Sequence, residues 1–168
     1  MKNLITLIAA VVLVAVAATA NAQVTGTATG SATIITPIAI ANAGNMNFGS
    51  IAVSANPGTV VLSTAAVRTA SGGVTLPAVT GSVTTAKFTV TGLGASTYSI
   101  SLPSSYVISD GASHNMTVNN FVSDPSGTGV ITAGTQTINV CATLNVLGSQ
   151  TAGTYTNATG FNVTVNYN

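Results

Sequence analysis

The chain has 168 residues, of which 3% are charged: Lys and Arg number 3, Asp and Glu 2, and the formal net charge is +1. A nucleic-acid interface needs a basic face to neutralise phosphates, and attachment to anionic lipid needs a polybasic patch, so this composition excludes both. Glutamate and tryptophan are absent, threonine is the commonest residue, and the single cysteine forbids an internal disulfide.

Residues 1–22 read as a signal peptide. Lys2 supplies the positive start, Leu4 to Ala18 is apolar except for Thr6, and Ala20-Asn21-Ala22 gives the small-x-small cleavage pattern. The apolar run is short for a membrane span, and no basic stop-transfer cluster follows. The expectation is a mature chain, 23–168, exported to periplasm, cell surface or medium, with no membrane span of its own. Its charges are Arg68, Lys87, Asp110 and Asp124, which cancel. With no net charge, nothing electrostatic keeps copies apart, which favours self-association.

From Gln23 onward the pattern predicts strands separated by turn chemistry. Ser31 to Asn42 reads as a first strand, with Pro37 at an edge or kink. Met46 to Gly49 and Gly58 to Ser63 follow, then Ala65 to Ala70 and Val74 to Leu76 around a Ser71-Gly72-Gly73 turn. Ala86 to Thr91 alternates cleanly and ends at Gly92-Leu93-Gly94. Tyr98 to Leu102 stops at Pro103. Met116 to Val122 precedes a loop at Asp124-Pro125-Ser126-Gly127, and Gln136 to Val146 follows. Within that last strand the alternation turns Cys141 away from Ile138, Val140, Ala142, Leu144 and Val146. It reads as a small, inert strand residue, with an intermolecular disulfide as the alternative.

Gly153 to Thr156 and the terminal run complete the chain. In that run Phe161, Val163, Val165 and Tyr167 alternate with Asn162, Thr164, Asn166 and Asn168. A period of two in a β-branched and aromatic run is the pattern of a half-buried strand. The expected core holds Phe48, Val60, Leu62, Phe88, Val90, Tyr98, Ile100, Leu102, Met116, Val118, Phe121, Ile138, Val140, Leu144, Val146, Phe161, Val163 and Val165. No amphipathic helix, repeat or linker interrupts the series. One all-β domain, an antiparallel sandwich or barrel, is expected. Charged residues that would guard its edges are nearly missing, so the edges are either covered or meant for pairing.

The sequence offers few reacting groups. Asp110 and Asp124 stand in turn contexts where carboxylates bond the local backbone. His114 is the sole histidine, no Gly-x-Ser-x-Gly elbow is present, and a zinc site lacks spaced ligands. Gly92-Leu93-Gly94 and Gly127-Thr128-Gly129 precede no helix and read as turns. No enzymatic activity, cofactor or metal is expected. A binding module remains as an alternative, a small adhesin or carbohydrate-binding sandwich using Tyr106, Asp110, His114 and Asn119.

Three stretches carry a resemblance: Pro37 through Asn47-Phe48-Gly49, then Phe88-Thr89-Val90-Thr91-Gly92 with Tyr98-Ser99-Ile100-Ser101-Leu102-Pro103, then Ala152-Gly153-Thr154-Tyr155 with Val163-Thr164-Val165-Asn166-Tyr167. In these the chain resembles the bacterial exported domain-of-unknown-function 4402 family, which implies export and an immunoglobulin-like β-sandwich. It implies no activity. More loosely, the closing strand with its penultimate aromatic is similar to chaperone–usher pilus subunits of the spore-coat-U-like archaic type. That resemblance implies assembly by β-strand addition, with a periplasmic chaperone or the protein itself as partner. The residues concerned are Phe161, Val163, Val165 and Tyr167, plus a flexible donor segment over 23–32 that presents Val24, Gly26 and Ala28 with Gly30 and Ala32. Those subunits often carry a disulfide, which this chain cannot form.

Overall fold

Strand β11, Thr135–Val146, is the axis of the molecule. Its sequence alternates Ile138, Val140, Ala142, Leu144 and Val146, all buried, with more polar neighbours, and both of its edges are used. The computed structural model describes residues 23–168, so the signal peptide expected at 1–22 lies outside the described residues. Gln23–Ile34 has no regular secondary structure, and Ile35–Asn168 forms a compact unit of its own.

Every strand pair in that unit is antiparallel. The elements are β1 (Ala39–Gly44), β2 (Asn47–Phe48), β3 (Ala52–Leu62), β4 (Arg68–Thr75), β5 (Val83–Thr84), β6 (Ala86–Thr91), β7 (Thr97–Ser101), β8 (Ser105–Ser109), β9 (Asn115–Asp124), β10 (Thr128–Val130), β11 and β12 (Thr164–Tyr167). One edge of β11 pairs with β6 along Thr135–Val140 and then with β3 along Thr143–Val146, so the sheet forks into a β6–β1 arm and a β3–β4 arm. The other edge carries β9, which in turn carries β8. A second sheet runs β10-β7-β12, and β2 pairs with β5. No helix occurs among the described residues, and none is long and apolar enough to cross a membrane.

The fork divides the core. Ala86, Phe88, Val90, Ile138 and Val140 pack against Tyr98, Ile131, Val163 and Val165 of the smaller sheet side. Phe48, Val60, Leu62, Val74, Ile108, Val118, Leu144 and Val146 make the other half, and Met46 and Phe121 touch both. The result is a sandwich-like all-β fold whose stability rests on apolar burial. Phe121 faces inward because Asn120 and Phe121 together oppose Ala142, a β-bulge in which Asn120 takes φ 51°. The extra residue shifts the alternation by one, turning Phe121 and Ser123 inward and leaving Val122 half-exposed.

Several expected elements differ. The first strand begins at Ala39 and not at Ser31, beyond Pro37, which has no N–H to give a ladder. Ser71-Gly72-Gly73 is not a turn; it lies inside β4, and the hairpin turns at Ser63–Val67. A Cβ on Gly73 would run into Asn56 O across the bulged pairing with β3, so glycine there permits close approach. Gly127-Thr128-Gly129, expected to be a turn, instead leads into β10 at Thr128–Val130. Ser105–Ser109 is a strand that its neighbours Pro103 and Ser104 disguise. Gly153–Thr156 forms only a single bridge, Thr156 to Ser109.

Candidate functional site

The terminal run keeps its alternation. Val163 and Val165 are buried, Phe161 and Tyr167 are half-buried, and Asn162, Thr164, Asn166 and Asn168 are exposed. Its backbone pairing is shorter than its pattern. The ladder to β7 begins at Thr164 opposite Ser101, and extending it would place Asn162 opposite Pro103, which has no N–H to donate. Phe161 to Val163 therefore has the side-chain order of a strand without a ladder partner.

Beside this run lies a cleft that Phe161 helps to line. It has a volume of about 1160 Å³ and opens between residues 42–53 on one side and residues 150–161 on the other. Phe48, Ile108, Leu144 and Val146 form its floor, with Phe88, Tyr106 and Phe161 at one end and Asn42, Asn45, Asn47 and Gln150 among its polar lining. No charged residue lines it. The aromatic end is tightly packed, with Phe161 ring centroids 4.9 Å from Phe121, 5.3 Å from Tyr106 and 6.2 Å from Phe88. Such offset and edge contacts are the favoured aromatic geometries. Tyr106 lines the cleft, and burial pushes its phenol above its ordinary pKa.

Few bonds hold the wall at 150–161. Ser109 and Thr156 exchange two backbone bonds of 2.9 and 2.8 Å, and Asn157 Nδ2 donates to Val107 O at 2.6 Å. Tyr155 Oη donates to Thr151 O and accepts from Gln150 Nε2. Opposite, Arg68 Nη1 donates to Phe48 O and Ser50 O, fixing the bend between β2 and β3 at Gly49. The far end is clasped: Tyr167 Oη accepts from Leu93 N at 2.6 Å and donates to Thr36 O at 2.9 Å.

The residues considered for binding or chemistry fall in different places. Asp110 and His114 sit at the β8–β9 hairpin tip with Asp110 Oδ2 2.6 Å from His114 Nδ1. The bond from His114, with backbone N–H groups of Ala112 and His114, holds the Asp110 carboxyl below its ordinary pKa. Asp124 lies at the other end of β9, ten residues long, so about 30 Å of strand separates the two carboxylates. Asn119 Oδ1 accepts from Asn145 Nδ2 on the outer sheet face, and Tyr106 belongs to the cleft. No group of three His, Cys, Asp or Glu residues suited to a metal occurs among the described residues. Val24, Gly26 and Ala28 lie in the stretch without regular structure.

Cys141 departs from the reading of an outward residue. It is 4% exposed, at the bulge, with Sγ 3.6 Å from Val122 O, and burial pushes its thiol pKa up. A buried, protonated thiol is unavailable for a disulfide between copies. Ile108 is a cleft residue the sequence conceals, and Tyr106, expected in a binding loop, stands with it on β8, since a five-residue strand between Pro103 and Asp110 gives too short an alternation to read. Residues 38–167 match a family described as Domain of unknown function (DUF4402). No curated protein and no solved structure matches the chain.

Proposed function

This chain belongs to the DUF4402 family of domains of unknown function, and on the geometry of its cleft we propose that it is an exported structural subunit, pilin-like in assembling by β-strand addition. The observation that carries this reading is the conjunction of a strand-patterned run, Phe161–Val163, that lacks a ladder partner with an uncharged, apolar-floored cleft beside it. An added strand would gain main-chain hydrogen bonds from the unpaired backbone, while alternate side chains would fill the cleft and fix register. The segment 23–32 of another copy suits this role: it is uncharged, lacks regular structure, and alternates Val24, Gly26, Ala28, Gly30 and Ala32 with hydroxyl residues. A periplasmic chaperone would offer the same kind of strand before assembly. The loose likeness of the chain's end to archaic pilus subunits supports the same direction.

The test combines electron microscopy of the mature protein with hydrogen exchange in the presence of a synthetic peptide of residues 23–34. Filaments, together with slowed exchange at Phe161–Val163 when the peptide is added, are expected. A protein that stays monomeric and gains no protection at those amides refutes the reading.

A further inference from the structure

The mature sequence holds four charged residues, and two have partners within the fold. Asp110 pairs with His114, and Arg68 bonds Phe48 O and Ser50 O. Lys87 and Asp124 are left over. Both are exposed, and both stand in one cross-strand row, with Lys87 opposite Asn139 and Asn139 opposite Asp124. The adjacent row, Ala86, Val140 and Ser123, is buried, so this one looks outward. Two ladder spacings put about 10 Å between the two charged positions, and neither is in an ion pair among the described residues.

We infer that this outward face of β6, β11 and β9 is an interface between two copies of the chain, related by a two-fold axis at Asn139. A positive and a negative charge flanking a central amide form a self-complementary pattern: rotation by half a turn sets Lys87 of each copy against Asp124 of the other. An isologous contact has this reciprocal form, residue i to j and j to i. A strongly basic partner meets Lys87 and a strongly acidic one meets Asp124, so a second copy is the occupant that satisfies both charges together. Exposed ion pairs add little affinity, and here they select partner and orientation. Contact area on this face comes from Thr89, Thr137 and the 50% exposed Val122, while Thr85 and Cys141 in the row beyond are already covered within the chain. The interface closes after two copies and leaves the cleft free, because the cleft is lined by the inward residues Ala86, Phe88 and Leu144.

Sedimentation velocity of the mature chain over a concentration series tests this. A monomer–dimer step is expected, with the dissociation constant raised about tenfold or more by Lys87→Glu and by Asp124→Lys, since each creates two like-charge contacts per dimer. A mixture of the two single variants sets opposite charges together at both contacts and should restore the dimer. The double variant, with the charges exchanged, should restore it as well. Strand-added polymers would sediment as an open series of larger species that these substitutions leave unchanged. Absence of a dimer step overturns the inference. So does a mixture that associates no better than either variant alone.

Discussion

Replacing Arg68 with methionine isolates the device that holds one wall of the cleft. Arg68 stands opposite Leu62 in the β3–β4 pairing, and its Nη1 donates to Phe48 O and Ser50 O, each at 2.7 Å. Those carbonyls flank Gly49, whose φ of 70° turns the chain from β2 toward β3. Methionine keeps much of the apolar stem and removes both bonds. A hydrogen bond to a charged group contributes about 1.5–3 kcal/mol net, and the partial exposure of the site lets water replace some of that. We expect a loss of about 2–4 kcal/mol for the two bonds together. With a urea dependence of about 1–3 kcal/mol per molar, the unfolding midpoint should fall by roughly 1–2 M. Arg68→Lys should lie between, because one ammonium cannot reproduce the planar fork. A midpoint for Arg68→Met within about 0.3 M of the parent, at unchanged slope, would refute the reasoning and mean that water serves those carbonyls equally well.

Other outcomes follow from single contacts. Ile138 is fully buried, so Ile138→Ala should cost about 2–5 kcal/mol in chemical denaturation. Tyr167→Phe removes the bonds to Leu93 N and Thr36 O and should cost about 1–2 kcal/mol at this exposed site, lowering the melting temperature by a few degrees. Asp110 has its folded pKa depressed, so its contribution is present above its unfolded value near 4 and is lost as pH falls through the lower folded one. Acid titration of the parent against Asp110→Asn should therefore show a stability gap at neutral pH that closes as pH falls below the ordinary carboxylate range. Cys141 should resist alkylation in the native chain and react on unfolding.

Most of the sandwich was legible because alternation survives wherever one sheet face is buried. Phe88 and Val90 in β6, Val60 and Leu62 in β3, and Ile138 to Val146 in β11 all lie inside as their spacing requires. The failures cluster where glycine, serine or proline does something other than turn the chain. Gly72 and Gly73 sit in a strand because the facing segment bulges toward them, a tertiary cause invisible in a local window. The five residues of β8 are too few to separate from the loop before them. Cys141 obeys parity yet is buried, because β6 and β3 diverge along the same edge of β11 and the sheet is forked there. The cleft is half legible: alternation turns Phe161 inward, but Tyr106 reads as a loop ligand.

The mismatch between side-chain pattern and backbone pairing at the chain's end constrains function more than any polar group does. Side-chain alternation is written by burial, and Phe161 and Val163 are placed as a buried strand face would be. Ladder pairing needs a neighbour with free N–H and C=O groups, and Pro103 stops β7 from being that neighbour beyond Ser101. Among the described residues Phe161–Val163 makes no backbone hydrogen bond to another strand. The cleft floor of Phe48, Ile108 and Leu144 is already buried, so the deficit beside it is one of backbone pairing and not of apolar exposure. An added strand would pair those peptide groups, as a loose small ligand would not. If copies assemble by strand addition as proposed, Phe161→Asp, which puts a charge among Phe88, Tyr106 and Phe121, should sharply reduce filaments seen by electron microscopy, with circular dichroism checking that the sheet persists.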